Sequence, residues 1–182
     1  MTKFYLKLTF LLPILFSLTS CKGAQKSEAE LIREVHNASL NWINDFSNQQ
    51  NEKLISTFEF PPQLSAEEVK IEESQLARGL GILRELLGEV ERISAENMEI
   101  PFDVVFGFGP GDEQWILSTV ESAEFNYYVK TENYGWLSIK FVYPVDSIQR
   151  KLIRKVVLGG SKEDAKKIRD IERRLIKQFS AQ

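Results

Sequence analysis

A chain of 182 residues, 43% hydrophobic, 27% charged and carrying a net charge of −3, has the composition of one folded domain rather than of a disordered or collagen-like polypeptide. A polypeptide of this size buries about two-thirds of its unfolded surface, so folding requires neither metal nor disulfide. One cysteine excludes an internal disulfide, and one histidine leaves any His-dependent metal cluster or catalytic triad resting on a single residue.

The first element is a leader. Lys3 and Lys7 give a positively charged start, residues 8–18 are apolar apart from Thr9, Pro13 and Ser17, and no acid precedes Glu28. Such a run is shorter than the roughly 20 apolar residues a membrane span needs, and charge followed by a short apolar segment is the layout of a secretory signal. It ends at Leu18-Thr19-Ser20-Cys21, an aliphatic residue, two small residues and the cysteine. This stretch resembles the lipobox of bacterial lipoproteins. The resemblance implies a diacylglyceryl group on the Cys21 sulfur, cleavage just before Cys21 and, in many bacteria, a further acyl chain such as palmitate on the new amino group. An ordinary signal that happens to end at a cysteine is the alternative. The residue type suits the chemistry, because a thiolate is the side-chain nucleophile best able to take a lipid as a thioether. Each buried methylene adds about 0.8 kcal/mol, and one chain anchors only marginally, so two or three chains hold durably. Lys22 follows; by resemblance to enterobacterial sorting, the lack of Asp there favours the outer membrane, on its periplasmic side or at the cell surface.

Residues 1–20 are thus expected to be a signal peptide, 21–27 a lipidated tether and 28–182 a single domain. Cleavage would remove Lys3 and Lys7 and no acid, taking the net charge from −3 to −5.

Residues 28–49 read as an amphipathic helix, with Leu31, Ile32, Val35, Trp42, Ile43 and Phe46 recurring at helical steps. A short helix over 52–58 follows, then Pro61-Pro62 punctuates the chain. Ser65 and Glu68 have the spacing of a capping box, which predicts a helix over 65–87 with a break near Glu73, stopped by Gly88. Ala77, Gly81 and Gly88 share one face of it, which predicts close approach of a neighbouring element.

From Glu89 the period becomes two. Phe102, Val104, Phe106 and Phe108 form an aromatic-rich face, and Gly109-Pro110-Gly111-Asp112 turns. Strands are expected over 114–121, at Phe125, Tyr127 and Val129, over 136–143 with Leu137, Ile139, Phe141 and Tyr143 on one side, and between 147 and 158. Short turns favour antiparallel neighbours. Gly159-Gly160 closes the sheet, and a helix capped at Ser161 places Ala165, Ile168, Ile171, Leu175 and Phe179 on its apolar stripe.

Helices before an antiparallel sheet define the α+β class: N-terminal helices packed on a curved antiparallel sheet, with an extra C-terminal helix. The helix over 65–88 running into a strand, followed by the strands at 125–129 and 136–143, weakly resembles the nuclear-transport-factor-like and cystatin-like group. That resemblance spans 28–158; the closing helix departs from its commonest form.

No residue names a reaction. His36 has no partner at metal-ligand spacing and reads as a surface or partly buried structural histidine, and a lipid-blocked Cys21 leaves neither thiolate ligand nor cysteine nucleophile, so no metal and no cofactor are expected. Gly107-Phe108-Gly109-Pro110-Gly111 lacks the Gly-Lys-Ser/Thr ending of a phosphate loop and reads as a hairpin turn. Relatives within the resembled fold include isomerases and dehydratases, which implies a pocket where Asp45, Asp103, Tyr127 and Tyr143 converge, a buried carboxyl serving as base; exposed acids and core-filling tyrosines are the other reading. Charge is asymmetric: over 52–99 there are 11 acids against 5 Lys/Arg, and over 148–182 there are 11 Lys/Arg against 4 acids. The basic end is either a solvated helix face complementing its dipole or a contact for anionic headgroups or an acidic partner. An acidic overall balance and an envelope address argue against nucleic acid.

The expectation is therefore a membrane-anchored envelope lipoprotein, a non-catalytic binding or accessory module whose partners are membrane lipid through acylated Cys21 and an envelope protein or a small apolar ligand. The alternatives are an isomerase-like enzyme with an acid/tyrosine pocket, or an assembly or toxin-neutralising factor.

Overall fold

Helix α1, Glu28–Ser47, begins at Ser27 in a computed structural model that describes residues 27–96, 98, 103–117 and 121–180, without the side chains of 103–106, 113, 117, 172, 175, 176 and 178–180. Ser27 Oγ accepts from the Glu30 N–H at 3.3 Å, and Glu30 accepts from the Ser27 N–H at 3.0 Å. This reciprocal cap satisfies donors that every helix start leaves free. The signal and tether expectations for residues 1–26, together with Phe102 and the side chains of Asp103, Leu175 and Phe179, lie outside the described residues.

Helix α2, Asn51–Ile55, is shorter than the 52–58 expected, because Phe58 leaves the turn to bridge Ile153 as an isolated parallel pair. Helix α3, Ala66–Leu87, has the expected box at Ser65 and Glu68 and runs unbroken past Glu73. It stops at Gly88, whose φ of +69° suits glycine; a Cβ there would also lie 2.6 Å from Glu132 Oε2.

Five strands follow: β1 Val90–Ser94, β2 Asp103–Phe108, β3 Ser122–Thr131, β4 Gly135–Pro144 and β5 Lys155–Gly160. They form one open sheet in the order β1-β3-β4-β5-β2, and every neighbouring pair is antiparallel. The two-residue period puts Tyr127 and Val129, then Leu137, Ile139, Phe141 and Tyr143, then Val156 and Leu158, toward the helices. There they join Val35, Trp42, Ile43 and Phe46 of α1 and Leu76, Leu80, Leu83 and Leu87 of α3 in one core. Trp42 is its hub, stacked on Phe46 at 5.7 Å and edge-on to Phe141 at 5.3 Å.

The strand expected over 114–121 is instead helix α4, Glu113–Leu117. Gly111 turns the chain with φ +89°, and Asp112 Oδ1 accepts from the Trp115 N–H at 2.7 Å, so a side-chain cap overrides the strand-like composition. The last strand starts later than expected, since Ile148–Arg150 form a 3-10 turn ended by Lys151 at φ +56°. Of the small-residue face of α3, Gly88 has the close neighbour expected, at Glu132, whereas a Cβ on Gly81 would meet nothing within 4 Å, so no element makes the close approach expected there at Gly81.

Helix α5, Lys162–Ser180, is opened by Ser161, whose Oγ accepts from the Asp164 N–H at 3.1 Å. Ala165 and Ile168 pack on Ile82 and Leu86 of α3, with Tyr134 against them. The fold is α+β, with helices on an antiparallel sheet and an added C-terminal helix. Among the described residues no helix is long and apolar enough to cross a membrane.

Candidate functional site

The two tyrosines singled out in the sequence come together between α1 and the sheet. Ser39 Oγ donates to Val35 O at 3.0 Å, which uses its only proton, so the Tyr143 hydroxyl at 2.9 Å donates to Ser39. Tyr127 lies 2.9 Å from His36 Nδ1 and 3.3 Å from His36 O. His36 is partly buried and held by that tyrosine. Burial pushes the Tyr143 phenol up to about 12, with the Ser39 hydrogen bond opposing and neighbouring Tyr127 adding to the rise. Burial also raises Tyr127, again opposed by Ser39. Both phenols are neutral at ordinary pH, and the cluster satisfies itself.

The acids proposed to join them are elsewhere. Asp45 stands 3.7 Å from Lys53 beyond the far end of the Trp42 cluster. Asp103 is the first residue of edge strand β2, in register with Gly160, three strands from β3. The Gly107 to Gly111 stretch ends β2 and turns, as expected. Gly109 packs so closely on the residue leading into β5 that a Cβ would lie 2.1 Å from Arg154 O, and Gly111 N–H donates to Glu72 at 2.9 Å.

Beside that turn is a buried charged corner that the sequence did not reveal. Arg154 binds Glu59 Oε2 through Nη2 at 2.8 Å and Nε at 3.2 Å, and its guanidinium lies 4.2 Å over the Trp115 ring. Their side chains are only 6% and 12% exposed. Ser147 and Arg150 complete the group on Glu59. Glu59 and Arg154 are 95 positions apart, so no local spacing could have paired them.

Arg84 was likewise unforeseen. Its Nε donates to Phe46 O at 2.8 Å and its guanidinium sits 4.9 Å over the Phe46 ring. Nη2 is buried without a hydrogen-bond partner, and desolvation lowers the pKa. Arg84 lines a cleft of about 370 Å³ with Gln49, Glu89 and Glu132. A second concavity, about 490 Å³, runs between the Asn133-Tyr134 turn and α5. The void inside the core, lined by Trp42, Phe46, Leu83 and Leu158 among others, is about 10 Å³, room for one water at most. None of these three is lined by Tyr127, Tyr143, Ser39 or His36.

The charge asymmetry has a sharp local form. Lys162, Lys166, Arg169, Arg173 and Lys177 are all exposed and succeed one another on α5 at steps of four, three, four and four, which is one face of a helix. Glu163 and Asp170 lie to one side, pairing with Lys167 at 3.2 Å and Arg173 at 3.8 Å. Among the described residues no group of three or more His, Cys, Asp or Glu could hold a metal ion.

No protein-family model, curated protein or solved structure matches this chain.

Proposed function

We propose that this protein is a cell-envelope lipoprotein, anchored through acylated Cys21, whose domain is a non-catalytic binding or accessory module. The observation that carries the reading is Leu18-Thr19-Ser20-Cys21, set directly after a short apolar run and two lysines. Two features of the domain support a binding module. The core is filled, with a void near 10 Å³, and the tyrosine hydroxyls that could serve an isomerase-like reaction are committed to Ser39 and His36. Recognition then belongs to the exterior: the Arg84 cleft, the concavity beside Tyr134 and the basic face of α5. An envelope protein or a small ligand would be met there rather than in the interior.

Metabolic labelling with an alkyne fatty acid, compared between the native chain and Cys21→Ala, tests the anchor. The native chain takes the label and the variant takes none; equal labelling of both overturns the reading.

A further inference from the structure

We infer that α5 is a second membrane contact, docking through its basic face onto anionic phospholipid headgroups. This rests on the lipid-anchor reading above. Lys162, Lys166, Arg169, Arg173 and Lys177 are exposed on one face, a straight row about 22 Å long at 1.5 Å per residue. Among the described residues, Lys162, Lys166, Arg169 and Lys177 have no ion pair, while the helix's paired acids stand on the flank. Like charges at steps of three and four repel one another, and Lys162 sits at the positive end of the helix dipole. The row is therefore unfavourable to the isolated helix, and a countersurface of negative charge relieves it.

Two observations favour lipid over a compact acidic protein. The row is straight and one-sided, matching a planar array of phosphates. Lys22 and Lys26 of the tether add cations beside the anchor, with no acid before Glu28, and juxtamembrane cations are drawn to an anionic leaflet. The tether also leaves room for that orientation: residues 21–27 can extend up to about 25 Å from the start of α1 at Glu28, so the anchor does not dictate which face of the domain meets the bilayer.

The test uses the full-length lipidated protein with a fluorophore at Asp170→Cys, its only free thiol if Cys21 is acylated. It is mixed with vesicles of neutral phosphatidylcholine alone, or with one-quarter phosphatidylglycerol, each bearing a headgroup quencher. Flotation with neutral vesicles reads the anchor; quenching that depends on phosphatidylglycerol reads α5. Each cation contributes about fivefold to the surface-bound population at low salt, so Lys166→Gln, Arg169→Gln and Lys177→Gln together lower it on the order of 100-fold, and about 0.5 M salt does likewise. Protein that floats on neutral vesicles with composition-independent quenching keeps the anchor and overturns the α5 contact, the result also given if α5 serves an acidic protein. Protein that floats only on anionic vesicles, reversibly with salt, keeps the α5 contact and overturns the anchor. Protein that floats on neither overturns both.

Discussion

The seam between α1 and the sheet and the outer face of α5 treat polar groups in opposite ways. In the seam, Ser39 pairs with Tyr143 and His36 with Tyr127, as burial requires, because an unsatisfied polar group away from water costs more than a net hydrogen bond contributes. On α5, five cations are set in a row, and of these only Arg173 has an ion pair among the described residues. The first arrangement is how a chain holds itself together. The second, exposed to solvent, adds little to folding and is available to an outside partner.

The comparison breaks most readily at the buried corner, which belongs with the seam. Glu59→Ala removes the carboxylate that Arg154 binds in a site 6% exposed, and equilibrium denaturation should show a loss of about 3–5 kcal/mol. A loss under about 1 kcal/mol would mean the corner is not closed in solution. Next is Gly109→Ala: with Arg154 O 2.1 Å from the new methyl, backbone must shift, and a loss of about 3 kcal/mol is expected.

Tyr143 gives a smaller effect with a distinct signature. Its folded pKa, about 12 against an ordinary 10, means the folded state resists losing this proton. The resulting stability is fully present below about pH 10 and is lost as pH rises through about 12. Unfolding free energy should therefore fall across pH 10–12 with a steeper slope in the native chain than in Tyr143→Phe, which itself costs about 1 kcal/mol at pH 7. Equal slopes would remove Tyr143 from the sealed cluster. The smallest expected effect sharpens the contrast. Lys166→Gln and Arg169→Gln should each move stability by no more than about 0.5 kcal/mol, since neither has a described ion pair; a loss above 1 kcal/mol would show the row to be structural.

Elements governed by local rules were legible in the chain. Ser65 and Glu68 marked the start of α3, Gly88 its end, and the alternation from Tyr127 to Tyr143 identified the strands with their inward faces. The box at Ser27 and Glu30 has the same spacing and could have been read the same way. Helix α4 was misread because Trp115, Ile116 and Leu117 look like strand residues, and the decision lies with Asp112 and Gly111 just ahead of them. The open face at Gly81 was misread because small residues permit close approach without supplying a neighbour. The site depended on distance in the chain. His36 and Tyr127 are 91 positions apart, Ser39 and Tyr143 are 104, and only the tertiary fold pairs them. The row on α5 was visible as composition, but its one-sidedness needed the helix phase.

The most direct test of the account is the intact mass of the protein extracted from membranes of the cells that make it. A chain beginning at Cys21 and carrying a diacylglyceryl group, with or without a third acyl chain, is the predicted result. A chain that retains residues 1–20, or one that begins at Cys21 with an unmodified thiol, would contradict it.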